Sequence, residues 1–175
     1  MKLNLVLLLF AASICSGQDL AYVAALGSKV YFAPPDTNNW AIEQNEMTEY
    51  GNYVLLFKHI PIQDSLGREI QPVMAFIVES VPDSLDVINY SIVKRSHTRF
   101  TVDKVLTFDK GYFSHRNTVG YEGSYSNGEI KHRVLIAHMR QAAVGLQVIC
   151  DSTDGVYLRV ENDMRQFVHS IGIDQ

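Results

Sequence analysis

Residues 119–150 read VGYEGSYSNGEIKHRVLIAHMRQAAVGLQVIC, and this stretch decides the fold. At its centre stands Asn127-Gly128, two residues that accept positive φ and suit a type I′ turn between tightly joined strands. The outgoing strand is expected from Glu129 to about Met139. After a turn around Gln141 to Ala143, another is expected from Val144 to Cys150. Both carry apolar residues side by side, Leu135 with Ile136 and Val148 with Ile149. Successive side chains point to opposite faces, so these strands belong inside a sheet covered at least in part on both sides.

Upstream, Lys104 to Phe108, Tyr112 to His115 and Val119 to Tyr125 read as short strands, with Asp109-Lys110-Gly111 and Arg116-Asn117 between them. Earlier still, Tyr53 to Ile60 is a strand ended by Pro61, Gln63 to Glu69 is a turn, and a second apolar run spans Pro72 to Val81. Together they read as a long antiparallel hairpin. Val30 to Ala33 is a short strand that stops at Pro34-Pro35, where the missing N–H groups end ladder pairing. Asp36 to Asn52 is polar and reads as a loop, anchored on the core by Trp40 and Ile42.

Two helices complete the pattern. The first is expected from Asp83 or Ser84, either able to cap it, to about His97. Leu85, Ile88, Ile92 and Val93 form its apolar stripe, and Lys94, Arg95 and His97 crowd its C-terminal end. The second is capped by Ser152, Thr153 or Asp154. It buries Val156, Val160, Met164, Phe167, Val168 and Ile171, and ends at a left-handed Gly172. Antiparallel strands with helices packed on them make an α+β fold.

The N-terminus carries an address. Lys2 precedes an apolar run from Leu3 to Ala12, interrupted by Asn4, and small residues follow from Ser13 to Gly17. This is the layout of a secretory signal peptide, and the run is too short to span a bilayer. Residues 1–17 are expected to be cut away after Gly17, leaving 18–175 as one domain that begins at Gln18. An uncut N-terminal hydrophobic helix is the plain alternative. A lipoprotein signal at Cys15 is a poorer fit, because Ile14 stands where that signal takes a small residue. The expected location is periplasmic or secreted.

Removal of Cys15 leaves Cys150 as the only thiol, so an exported chain would have no internal disulfide and would rely on its core. The formal charge of −4 becomes about −5 without Lys2. That balance gives no overall pull toward nucleic acid or anionic lipid, and no later segment has transmembrane length.

A tight hairpin, a long strand, a further strand and a closing amphipathic helix resemble the Mog1/PsbP-like family. The residues behind the likeness are Asn39-Trp40, Gly120-Tyr121-Glu122-Gly123 and Phe167 to Ile171, within a span from about Val30 to Ile173. The resemblance implies an antiparallel sheet flanked by helices, an α/β/α sandwich, and a binding or accessory role. It transfers no site residue, and an export signal speaks against the nuclear branch of that family.

Chemistry is sparse. No His-x-x-x-His or Cys-x-x-Cys pair is present, so no metal is expected. His132 and His138 share a strand face but lie about 20 Å apart at strand rise. Cys150 follows Leu146 and Val148 at period two, which makes it a core residue rather than a nucleophile. No Gly-x-Ser-x-Gly elbow or phosphate-binding glycine loop occurs, so neither a catalytic residue nor a cofactor is assigned.

Two surface features remain as binding candidates. One is basic: Lys94, Arg95, His97 and Arg99, with Lys131, Arg133 and Arg140 later in the chain. A solvated helix end explains it more simply. The other is aromatic: Tyr112 and Phe113, with Tyr121 and Tyr125 on one strand face around Gly123. Glycines admitting a packed helix would explain that one. The residues singled out for binding are Tyr112, Tyr121, Tyr125, Lys94, Arg95 and Arg133.

The expected function is an exported, non-catalytic binding or accessory domain, for a protein partner or a small ligand, in the cell envelope or outside the cell. An enzyme with His115, Tyr121, Glu122 and His132 assembled across the sheet is the second reading. A structural subunit of a larger envelope assembly is the third.

Overall fold

Alternation along the strands sorts side chains onto two faces of one large sheet, and the two faces are covered unequally. The computed structural model describes residues 20–174; the expected export signal, with Cys15, lies outside the described residues. In chain order the strands are β1 (Ala21–Ala25), β2 (Ser28–Phe32), β3 (Trp40–Met47), β4 (Tyr53–His59), β5 (Ile62–Gln63), β6 (Glu69–Ile70) and β7 (Val73–Ser80). After helix α1 (Val87–Ser96) come β8 (Thr101–Thr107), β9 (Thr118–Asn127), β10 (Ile130–Gln141) and β11 (Val144–Thr153). Helix α2 (Asp154–Ser170) and β12 (Gly172–Asp174) close the described chain.

The large sheet has the order β3-β4-β7-β11-β10-β9-β8, with each neighbouring pair antiparallel. A smaller sheet has the order β1-β2-β12, and β5 pairs with β6. Two helices on a mainly antiparallel framework make this an α+β protein.

On one face of the large sheet, register brings Tyr53, Leu55 and Phe57 beside Val78, Phe76 and Met74. These in turn lie beside Leu146, Val148 and Cys150, then Met139, Ala137 and Leu135. All are buried. Helix α2 lies over this grid through Val156, Val160, Met164 and Phe167. Phe32 of the small sheet wedges between them, 5.4 Å from Phe76 and 6.0 Å from Phe167, centroid to centroid. Each such side chain stabilises the fold by roughly 1.5–3 kcal/mol relative to leaving it in water.

The opposite face carries α1, which packs mainly over β9 and β10 and reaches β7 and β11 through Tyr90 and Lys94. Val54, Leu56, Ala75, Ile77 and Ile149 on that face stay half-buried. The apolar pairs Leu135/Ile136 and Val148/Ile149 thus do mark interior strands, since β11 is the middle strand of the seven.

Several expectations shift by register or give way to packing. The tight turn is centred on Gly128-Glu129, with Asn127 paired to Ile130. Only Gly128 has positive φ, +61°, so the turn is the II′ type, which takes glycine first. Segment 36–52 is not a loop: it contains β3, an edge strand with a bulge at Ile42/Gln44. Its polar residues belong to an edge that must not pair with another chain. Trp40 anchors it, buried and donating through Nε1 to Asp163 at 3.0 Å, whereas Ile42 is 49% exposed and anchors nothing. Strand β1 carried no strong signal and was not expected.

Tyr112 to His115 is not a strand. It follows a 3-10 turn at Phe108–Lys110 and folds back over β9, where Gly120 makes room for the Phe113 ring. A Cβ at Gly120 would stand 2.6 Å from Phe113 Cζ. Gly172 is not a left-handed helix end either, since it opens β12 and pairs with Tyr31.

The larger departure is α1. Asp86 caps it, accepting from Asn89 N at 2.8 Å, because Pro82 to Leu85 are used in a preceding turn. The expected stripe faces outward: Ile88, Ile92 and Val93 are 54%, 57% and 45% exposed. Tyr90 and Ser91 are the buried pair. The sheet beneath offers polar partners and a notch at Gly145, where a Cβ would lie 2.4 Å from Val81 and 2.8 Å from Tyr90 Cζ. Tyr90 fills that notch and donates to Glu79 at 2.6 Å, and Lys94 pairs with the same carboxylate at 2.5 Å. Satisfying those buried polar groups outweighs covering three aliphatic side chains.

Candidate functional site

The six residues singled out for binding do not form one surface, because they divide between the two faces of the sheet. Tyr121 is opposite Ile136 on the α1 side, 7% exposed, with its hydroxyl 2.8 Å from Ser91 Oγ. Arg95 covers its ring at 5.4 Å. Ser91 Oγ also lies 2.9 Å from His138 Nδ1. Burial first, and the charge of Lys94 second, lower the His138 imidazole to about 4. This cluster holds the helix down and is sealed from solvent.

Tyr125 is on the same face, directly opposite His132 and stacked on it at 4.7 Å. Asp151 accepts from the Tyr125 hydroxyl at 2.6 Å and lies 2.7 Å from His132 Nδ1. Burial, then Asp151, raise the Tyr125 phenol above its ordinary range. Gly123, between the two tyrosines, admits the Phe100 ring: a Cβ there would lie 2.6 Å from it.

Arg133 points to the α2 side. It pairs with Asp154 at 2.5 Å and lies over the Tyr157 ring at 5.9 Å. The basic group is therefore split, with Lys94 and Arg95 on one side and Arg133 on the other. The four residues of the enzymatic reading are likewise apart. Glu122 is opposite Leu135 and pairs with Arg165 of α2 at 2.5 Å, while its neighbour Tyr121 faces α1. His132 is held by Asp151, and His115 belongs to the loop before β9, where burial lowers its pKa. No group of three or more metal-ligating side chains occurs among the described residues.

Of the six, Tyr112 lines a recess of ligand size. It opens between β8, α2 and the 111–113 loop, with a volume of about 460 Å³. Leu106, Phe113, Leu135 and Val168 form its inner wall, and each is almost fully buried by the surrounding protein. Lys104, Tyr112, Arg165, Gln166 and His169 stand around its mouth. Loop 111–113 is fixed from α2, where His169 Nδ1 lies 3.3 Å from the Tyr112 carbonyl oxygen.

Charge at the mouth is uneven. Arg165 is matched by Glu122 at 2.5 Å and Glu161 at 2.7 Å. Lys104 forms no ion pair among the described residues; its ammonium lies over the Tyr112 ring at 4.6 Å. The neighbouring Tyr112 side chain is the main influence raising the pKa of that amine. Sequence reasoning missed Lys104, Leu106, Leu135 and Arg165. In the sequence they are an ordinary lysine, two core leucines and a helix arginine, and only the packing of α2 beside β8 brings them together.

Fold and recess together describe an α+β protein with one half-open sheet face and a ligand-sized apolar recess on the other. No family model and no curated protein matches the chain. Among solved structures it is similar to LpqN of Mycobacterium tuberculosis, a protein described as involved in cell envelope biogenesis. The identity is 14%, over 85% of this chain and 84% of that one, with a TM-score of 0.47. No helix among the described residues is long and apolar enough to cross a membrane.

Proposed function

We propose that this chain is exported by Met1–Gly17 and acts, without catalysis, as a binding or accessory domain of Mog1/PsbP-like fold in the cell envelope or extracellular space. The export reading rests on the charge and apolar pattern of the first residues. The observation that carries the binding reading is the recess of about 460 Å³ that opens between Lys104, Tyr112, Arg165, Gln166 and His169, with Leu106, Phe113, Leu135 and Val168 buried behind it. A concave recess with a few convergent polar groups is the usual form of a small-ligand site. The separation of Glu122 from Tyr121 and His132 supports a non-catalytic role over the enzymatic one.

The test uses the chain from Gln18 onward and the neutral dye N-phenyl-1-naphthylamine, whose emission rises in apolar surroundings. Saturable binding by the native protein is expected. Gln166→Trp, a change at an exposed position of the mouth, should abolish it without loss of stability. Absence of saturable binding, or equal binding by Gln166→Trp, would rule out the recess as the site.

A further inference from the structure

We infer that two copies of this chain associate through the α1 side of the large sheet, α1 of each copy lying over the bare β7–β4 half of the other. That side faces away from the recess, so the pairing stands independently of the binding reading.

Among the described residues, two apolar surfaces on this side have no cover. One is the outward side of α1, where Ile88 and Ile92 are 54% and 57% exposed. The other is the sheet beside α1, where Val54, Leu56, Ala75, Ile77 and Ile149 stay half-buried. The step between them is one helix high, about 10 Å. Contiguous apolar surface of this kind marks a contact site.

Register identifies the occupant. One row of paired residues crosses the sheet: Tyr121, Ile136, Ile149, Ala75, Leu56 and Gln44. Ile149 is on β11, the middle strand of the seven. Tyr121, beneath α1, is two strands to one side of it, and Leu56, uncovered, is two strands to the other. A half-turn about an axis along β11 carries the place of Tyr121 onto that of Leu56, and sets the second copy's α1 over β7 and β4. Each helix then fills the other copy's step, and the contact closes on itself as two-fold association requires. An unrelated partner would have to match the step by coincidence, whereas a second copy matches it by symmetry.

Charge fits the same half-turn. Arg95 is exposed and lies over the Tyr121 ring at 5.4 Å, so in the pair it stands above Leu56 of the other copy. Glu46 is exposed on that side of β3, opposite Val54, and accepts from Gln44 Nε2 at 2.9 Å. The arginine of each copy thus meets a glutamate of the other, twice in the dimer.

Area sets the strength. Four strands about 4.8 Å apart and about five residues long give a bare half of about 19 by 17 Å. The outward side of α1, ten residues long, adds about 15 by 10 Å. Two copies together cover about 950 Å² in flat outline, and the relief of the side chains brings this toward the lower limit of specific interfaces, about 1,200 Å². The dimer is therefore reversible, with a dissociation constant of about 10 μM.

Sedimentation of the native chain from Gln18 between about 1 and 200 μM tests the pairing, with monomer expected at the low end and dimer at the high end. Ile92→Asp should weaken association at least about tenfold, because it buries an unpaired charge twice. Arg95→Glu and Glu46→Arg should each weaken it about tenfold, since two attractive contacts become repulsive. Combined in one chain, the two reversals should restore it to within about threefold of the native value. At about 1 μM, where the copies are apart, every variant should still unfold cooperatively in urea, which separates lost association from lost folding. A native chain that stays monomeric at about 200 μM would overturn the proposal. So would a dimer that Ile92→Asp leaves intact, because it would use another face. Reversals without effect singly, or unable to rescue each other, would reject the half-turn along β11.

Discussion

Between pH 7.5 and 4.5, His138 should govern a distinct part of the stability of this protein. The imidazole is 2% exposed beneath α1, bonded through Nδ1 to Ser91, with no partner for Nε2 among the described residues. Burial, then Lys94, lower it to about 4, against about 6.5 in an unfolded chain. The folded state therefore resists protonation that the unfolded state accepts. Stability from this group is complete above about pH 6.5, falls as pH drops through the window, and is gone below about 4. For the interval from pH 7.5 to 4.5 the difference in proton binding amounts to about 2–3 kcal/mol. Urea unfolding of the native chain and of His138→Gln at both pH values reads it directly. Carboxylates contribute equally to both proteins, so the difference between their pH-dependent losses isolates the histidine. The native chain should lose about 2–3 kcal/mol more than the variant. Equal losses would show that His138 is not held neutral beneath α1, and the account of the Ser91–Tyr121–His138 cluster would fail.

Other consequences follow from the same packing. Gly145→Val should cost about 1–3 kcal/mol in urea unfolding, because even a Cβ would stand 2.4 Å from Val81 and 2.8 Å from Tyr90. Met164→Ala on α2 should cost about 2–5 kcal/mol, whereas Ile92→Ser on the outward side of α1 should change stability by less than about 0.5 kcal/mol. A large loss at Ile92 would mean that α1 is rotated from its described position. Cys150 should be inert to a thiol reagent in the native chain from Gln18 and react fully in urea, since burial raises the thiol far above its ordinary range.

Strands with strong local patterns were legible from the chain alone. Tyr53 to Ile60 and Pro72 to Val81 are apolar runs joined by a polar turn, so β4 and β7 emerge as antiparallel partners within a residue or two of the expected limits. The doubled apolar faces of β10 and β11 correctly placed them inside the sheet, and the stripe of α2 correctly faced the core. Edge elements were harder. β3 is polar because solvent and the need to avoid edge pairing shape it, so its composition mimics a loop. The turn at Gly128 was displaced by one residue because Asn127-Gly128 and Gly128-Glu129 both satisfy a tight turn, and register with β10 chose the second.

The candidate site was much less legible. Tyr112 was picked for its glycine and aromatic neighbours, yet it lines a recess because loop 111–113 is held by α2. Tyr121 and Tyr125 share a face as alternation requires, but α1 and Asp151 occupy their polar ends. Local sequence cannot express which distant side chain arrives at a hydroxyl.

By itself the amino-acid sequence determined the strand periodicities, the interior position of β10 and β11, and the buried stripe of α2. These depend on the alternation of side chains along a strand and on the 3.6-residue turn of a helix. Only the tertiary structure decided that α1 turns its isoleucines outward, that Tyr121 and Tyr112 stand on opposite faces, and that Lys104 meets Leu135 across a recess. Those outcomes depend on contacts between segments tens of residues apart. There, polar satisfaction and the space left by Gly120, Gly123 and Gly145 outweigh local preference.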